Sequence, residues 1–442
     1  MSDTTDLDTE LMPDLASTSA AAELPPALVA QTLGQYMRAW VSRVRGGDSG
    51  VLPVIAALVV LSAVFQIISP GHVFLTADNF VNLLQQSAAF MVLAMGEIFV
   101  LLLGEIDLSI GFVGPLGAAI AVQLVQPLTS NWTWWLAIIV ALVAGAAWGA
   151  MQGSIITRVR LPSFIVTLAG LLVANGVFLF ILLLGPFSGY PSLTGPSNNQ
   201  TMLHNLMNAQ IDTGLSWVLM GAIVAVLGTV MLMRDSRRHR HGLVAPPLAV
   251  TLMKIALIAG VGVVLVALCS VNRARIGEIS GVPWFVIVVL AVLAVWTLLL
   301  ERTRYGRYVY AIGGNPEAAR RAGVNLVRVR TIAFAICSFT AVIAGILYAS
   351  RLDGMSNNVN GGQDTLYAVA AAVIGGTSLF GGRGRVLHGL LGGLVIGVIY
   401  NGLYLLGLDV KWQYIVTGFV LLASLTIDSL SRRGATTGVS TH

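Results

Sequence analysis

From residue 51 to residue 428 the chain alternates between long apolar runs and short polar connections. A membrane-spanning helix needs roughly 20 mostly apolar residues, with a range of about 17 to 25. Twelve segments meet or approach that length: 51–69, 84–103, 111–126, 133–151, 164–184, 216–233, 249–271, 284–301, 329–350, 365–380, 388–407 and 412–428. The pattern predicts an all-α polytopic membrane protein with about 12 transmembrane helices filling residues 51–432. Residues 1–50 form an N-terminal tail, acidic and rich in Ala, Thr, Ser and Pro as far as about residue 27. From Leu28 to Arg45, apolar positions interleaved with Arg38, Arg43 and Arg45 suit either an amphipathic helix on the membrane surface or a plain lead-in to the first span. Residues 433–442 are a C-terminal tail, and 185–215 is a polar, turn-rich connection.

Composition agrees. Of 442 residues 56% are hydrophobic and 10% charged, where soluble domains carry about 25% charged residues, and the mean hydropathy is +0.83. A chain with so few charges must meet lipid. The net charge of +5 reflects topology, not nucleic-acid binding: with the N-terminus inside, 20 of the 25 basic residues fall on the inner side, leaving Arg273, Arg275, Arg351 and Lys411 outside and Lys254 free to snorkel. Both termini are therefore expected to be cytoplasmic. Cys269 and Cys337 lie in apolar runs, with no disulfide framework or metal-ligand spacing. His239 and His241 sit among the arginines of Arg234–Gly242, and no metal is expected there.

Two pairs of passages suggest an internal duplication. LLGEIDLSIG, with Gly104, Leu108 and Gly111, matches VIGGTSLFGG, with Gly375, Gly376, Leu379 and Gly382; SFIVTLAGLLVA after Gly153 parallels QYIVTGFVLLAS after Gly402. The offset falls from 271 to 250 residues between the pairs, one helix length, so the later elements would cross the membrane in opposite directions. Such an inverted repeat, with glycine-broken helices at matching places, is a common transporter ground plan. A carboxylate at mid-membrane is costly, so Glu105 and Asp107 should avoid lipid. They either line a polar cavity, extended by Glu97, or cap the next helix together with Ser109.

A polar island, GRYVYAIGGNPEAARRAGVNLVRVR from Gly306 to Arg330, lies on the inner side within the connection 302–328. Asn315 is a good N-cap, Pro316 suits the first helical position, Glu317 complements the positive helix end, Ala318 and Ala319 propagate and Gly323 stops the helix. A helix of roughly two turns is marginal alone in water, so it should be held by docking, with Arg320 and Arg321 offering a basic edge to an acidic partner. Gly306–Ile312 and Val324–Arg330 are expected to connect it to the spans.

These motifs, GRYVYAIGGNPEAARRAGVN with GEIDLSIG and AAVIGGTSLFGGRGRVLHGLLGG, resemble the permease subunits of bacterial ATP-binding-cassette importers for monosaccharides, the ribose, xylose and galactose group. The resemblance covers about residues 51–432. It implies a homodimeric channel in the inner membrane, two cytoplasmic ATPase subunits that carry the ATP and magnesium, and an extracytoplasmic sugar-binding protein. Gly314, Asn315, Pro316, Glu317, Ala318, Ala319, Arg320, Arg321 and Gly323 would then meet the ATPase. The extra segment 234–283 is similar to the xylose-type branch. The chain itself has no phosphate loop, HExxH or serine elbow, so it is expected to carry no cofactor and to be no enzyme. A neutral, hydroxyl-rich sugar needs hydrogen-bonding groups, and Glu105, Asp107, Ser109, Asn175, Thr377 and Asn401 are the candidate path residues. The rival class is a proton-coupled secondary transporter with Glu97, Glu105 or Asp107 as proton carrier. An integral membrane enzyme has no catalytic constellation in its favour.

Overall fold

The computed structural model describes residues 50–184, 191–241, 245–274 and 277–409, with scattered positions between 34 and 38 and between 411 and 426. The expected surface helix over 28–45, the span over 412–428 and the tail 433–442 lie outside the described residues apart from those positions. Among the described residues every regular element is helical: α1 (Leu52–Ile68), α2 (Ala77–Leu101), α3 (Ile110–Leu124), α4 (Trp134–Val159), α5 (Ser163–Leu182), α6 (Asn198–Asn208), α7 (Thr213–Arg240), α8 (Leu248–Ser270), α9 (Trp284–Arg302), α10 (Arg304–Gly314), α11 (Pro316–Arg321), α12 (Leu326–Arg351), α13 (Gly361–Ile374) and α14 (Val386–Leu405), with a short 3-10 turn at Pro70–His72.

Eight of them, α2, α4, α5, α7, α8, α9, α12 and α14, are long and apolar enough to cross a membrane, and α1 and α3 are apolar but shorter. Large apolar side chains lie exposed on α4, α5 and α9, among them Val143, Leu172, Phe180 and Leu298, a surface suited to lipid. The protein is a polytopic, all-helical membrane protein. The span expected over 365–380 is cut short. α13 stops at Ile374, and Gly376 turns the chain with φ +109°.

Residues 220–262 form a compact unit of their own, made of the distal part of α7 and the proximal part of α8. Within it Thr251 Oγ1 donates to Asp235 Oδ2 at 2.6 Å.

The larger unit has α2 and α12 at its centre. α2 is buried without interruption from Gln86 to Leu101, and α12 packs on α4, α3 and α2. Helices in lipid gain little from the hydrophobic effect and associate by close packing of small residues. On α4, Ala137, Ala141, Gly145, Gly149 and Gly153 recur every four residues and are all buried. A methyl group on Gly145 or Gly149 would collide with Val342 or with the Phe334 carbonyl of α12. On α14, Gly389, Gly393 and Gly397 do the same against Met95, Met91 and Ser87 of α2. Polar residues fix the helix starts: Thr76 caps α2 through the amide of Asn79 at 3.4 Å, and Asn325 caps α12 through that of Arg328 at 2.9 Å.

The island 306–330 folds as two helices. α11 keeps the expected signals: Asn315 Oδ1 accepts from the amide of Ala318 at 3.0 Å, Pro316 opens the helix and Gly323 follows it with φ +81°. Gly306–Ile312, expected to be a connector, instead lies within α10, whose N-cap Thr303 accepts from the Gly306 amide at 3.3 Å.

Candidate functional site

α2 ends because Gly104 turns the chain with φ +73°, and the break runs from Leu102 to Ser109 before α3 begins. Polar contacts fix its course. The Asp107 amide donates to Glu97 Oε1 at 3.1 Å, and Asp107 Oδ1 accepts from the Ser109 amide and hydroxyl at 2.9 and 2.6 Å. Ser109 Oγ also lies 3.0 Å from Gln152 Oε1, and Thr167 Oγ1 donates to the Ile106 carbonyl at 3.3 Å. Glu105 faces Arg330, at the base of α12, at 3.4 Å. Glu97, Asp107 and Ser109 are fully buried, and the Cys337 thiol lies 3.5 Å from Glu97 Oε2. The free amide of Gly111, in the first turn of α3, donates to Thr365 Oγ1 at 3.1 Å, so α13 completes the start of α3.

The second break, between α13 and α14, contains Gly376, Gly381, Gly382 and Gly384, all with positive φ. Gly375 packs its Cα against the His388 carbonyl, too close for a side chain. Thr377 is buried, with its hydroxyl 3.4 Å from His388 Nδ1. The two breaks meet. The amide of Gly382 donates to the Leu102 carbonyl at 2.9 Å. Gly313 of α10 fills the remaining corner, so tightly that a Cβ there would strike the Leu102 carbonyl. Tyr310 Oη donates to the Gly384 carbonyl at 2.8 Å, and Tyr305 Oη donates to the Val329 carbonyl at 3.4 Å. Burial raises the pKa of the Tyr305 and Tyr310 phenols, so both stay protonated donors. α11 extends from this junction with its charges in solvent: Glu317 accepts from Arg320 at 2.9 Å and from Arg321 at 3.4 Å.

Between the middle of α2, the start of α13 and the end of α12, the larger unit holds a partly open cavity of about 200 Å³. Phe90, Tyr348, Tyr367 and Tyr400 line it, with Gln85, Gln86, Arg351, Asn358, Asn360, Gln363 and Asp364. Phe90 meets Tyr367 edge-on, centroids 5.3 Å apart and planes at 86°, and meets Tyr400 at 6.0 Å and 64°. Asn360 caps α13 through the amide of Gln363 at 3.3 Å and donates to Tyr414 Oη at 2.7 Å. Gln363 in turn donates to the Tyr367 hydroxyl.

Of the candidate path and helix-break residues, only Gly111 lines this cavity. Glu105, Asp107 and Ser109 lie in the first break and Thr377 in the second. Asn401 is buried on α14, exchanging hydrogen bonds with Asn79 at 2.9 and 3.0 Å, and Asn175 is half-buried on α5. The cavity residues did leave a trace in the sequence: Gln85-Gln86 inside an apolar helix, and the polar run Asn357–Asp364 opening a short one.

A family model described as the permease component of branched-chain amino acid transport systems matches residues 79–425. The xylose transport system permease protein XylH of Escherichia coli (strain K12) is 35% identical over 406 residues, covering 88% of this chain and 95% of that protein. XylH of Haemophilus influenzae is 36% identical over 392 residues, covering 86% and 96%. The ribose import permease protein RbsC of Escherichia coli (strain K12) is 30% identical over 373 residues, covering 84% and 92%. No solved structure matches the chain.

Proposed function

The chain belongs to this family of transport-system permease components, and we propose that it is the membrane subunit of an ATP-driven importer that carries a pentose into the cytoplasm. The names of its relatives supply the sugar class. The observation that carries the mechanism is the junction of Leu102, Gly313 and Gly382, where the helix leading to α11 touches both breaks.

In this reading α11, with Gly314, Asn315, Pro316, Glu317, Ala318, Ala319, Arg320, Arg321 and Gly323, seats in a separate ATPase subunit, which binds the nucleotide and magnesium. Two copies of the chain form the channel, and a sugar-binding protein delivers from outside. Both termini face the cytoplasm, about 12 helices cross the bilayer, and the two breaks are corresponding points of an inverted repeat. When the ATPases close, α11 pulls α10, and α10 bears on the Leu102 and Gly382 turns. Those turns end α2 and precede α14, and the cavity is lined by the middle of α2 and by Tyr400 near the far end of α14. A push at the turns therefore reshapes the cavity.

The test is reconstitution in liposomes with the cognate ATPase and binding protein. ATP-dependent uptake of labelled xylose or ribose is expected. Uptake by this chain alone that follows a proton gradient and ignores ATP would overturn the reading.

A further inference from the structure

Arg351 and Asp364 line one cavity, yet they form no ion pair with each other, and neither side chain has a hydrogen-bond partner among the described residues. Charges in a membrane protein are costly and normally pair with one another or with polar groups. Both side chains are half-buried, and polar groups at the edge of a membrane protein's interior are normally satisfied, so two such groups facing one cavity call for a guest or water to complete them.

Their chemistry defines the guest. A carboxyl group accepts from adjacent hydroxyls and a guanidinium donates in a planar fork. A simple cation or anion answers only one of the two groups, whereas a polyhydroxylated ring answers both, because each hydroxyl both donates and accepts; a zwitterionic amino acid would also answer both, and uptake of pentose against amino acid separates the two. Phe90, Tyr367 and Tyr400 supply the complementary surface, apolar ring faces for the C–H faces of a sugar.

The geometry points to a sugar-recognition site within the permease itself: Asp364 and Arg351 hydrogen-bond the hydroxyls of a monosaccharide ring seated against Phe90, Tyr367 and Tyr400, so the membrane subunit discriminates among sugars after the binding protein has released its load. This rests on the sugar-importer reading above.

The experiment uses the assembled importer in proteoliposomes, with Asp364→Asn and Arg351→Gln in the permease, and measures uptake of xylose, ribose and arabinose at subsaturating concentration. Losing one charged hydrogen bond should lower uptake about tenfold or more and reorder the three sugars. Wild-type rates and ranking in both variants would overturn the proposal. A second measurement keeps the charges in place. In Gln85→Cys, 100 mM xylose should slow modification by a thiol-specific reagent. Equal rates with and without xylose would again overturn it. A wild-type importer that takes up an amino acid and no pentose would instead sink the sugar-importer reading, a result distinct from failure of the variants alone.

Discussion

The amide of Gly382 donates to the carbonyl of Leu102 at 2.9 Å, joining two helix breaks that lie far apart in the chain. Gly313 packs on both partners, which makes this contact the point where α10 reaches the helices of the cavity.

Gly313→Val is therefore expected to reduce uptake at least tenfold, because the new side chain must displace backbone on two sides. Tyr310→Phe removes only the hydrogen bond to the Gly384 carbonyl, worth about 1 kcal/mol. It should keep the melting temperature within a few degrees while lowering the number of sugars moved per ATP. Both quantities can be read in one proteoliposome preparation, and unchanged stoichiometry in Tyr310→Phe would show that α10 transmits nothing through this bond.

Glu97 and Asp107 are fully buried acids with no ion-pair partner among the described residues. Glu97 holds the Asp107 amide and meets the Cys337 thiol of α12, and Asp107 holds Ser109. The isosteres Glu97→Gln and Asp107→Asn retain an acceptor for each bond and should import within about twofold of wild type. Asp107→Ala, which strips the Ser109 contacts, should lower thermal stability by about 1–3 kcal/mol. Abolished uptake in the two isosteres with unchanged stability would make these residues proton carriers.

The Asn79–Asn401 pair is a two-way amide bridge between α2 and α14, with Asn79 also donating to the Phe74 carbonyl at 2.8 Å. Removing either side alone leaves a buried amide unpaired, which costs about 1–3 kcal/mol. Replacing both by Leu should cost less than the sum of the single changes. A double-mutant cycle by thermal unfolding measures the coupling, and strict additivity would deny the bridge.

On α11 the hydrogen bond and charge of Arg320 hold the Glu317 carboxyl below its ordinary pKa. A lowered pKa contributes stability that is present above the unfolded value and lost as pH falls through the folded one. Glu317 should therefore stay ionised, and ATPase assembly should be indifferent to pH from 7 down to about 5, well above the ordinary glutamate value of about 4.3. Co-purification of the ATPase across that range checks it, and Glu317→Gln should show the same flat profile at lower yield.

The sequence disclosed what local rules govern. Long apolar runs located the helices, and Asn315, Pro316 and Gly323 bounded α11 because capping depends on neighbours within a few residues. The sequence presents Gly306–Ile312 only as a connection from α11 to the spans; its helical form, and the close approach of Gly306 and Gly313 to other backbones, depend on distant partners that the local pattern does not show. The four-residue spacing from Ala137 to Gly153 was visible in the letters, but its partner on α12 was not. The cavity was least legible, since its lining comes from α2, α3, α6, α12, α13, α14 and the connection before α13, and none of those segments marks it alone. Asn401 looked like a path residue for the same reason: its partner, Asn79, lies 322 positions away.

With Gly149 seated against the Phe334 carbonyl, α4 and α12 have no cushion of side chains to shear between them. The pair behaves as a single strut, and a strut can only tilt. The bending needed to open and close a passage must then fall on the hinges beside it, the glycine turns at Gly104 and at Gly381–Gly384, which makes stiffness in one place the condition for movement in another.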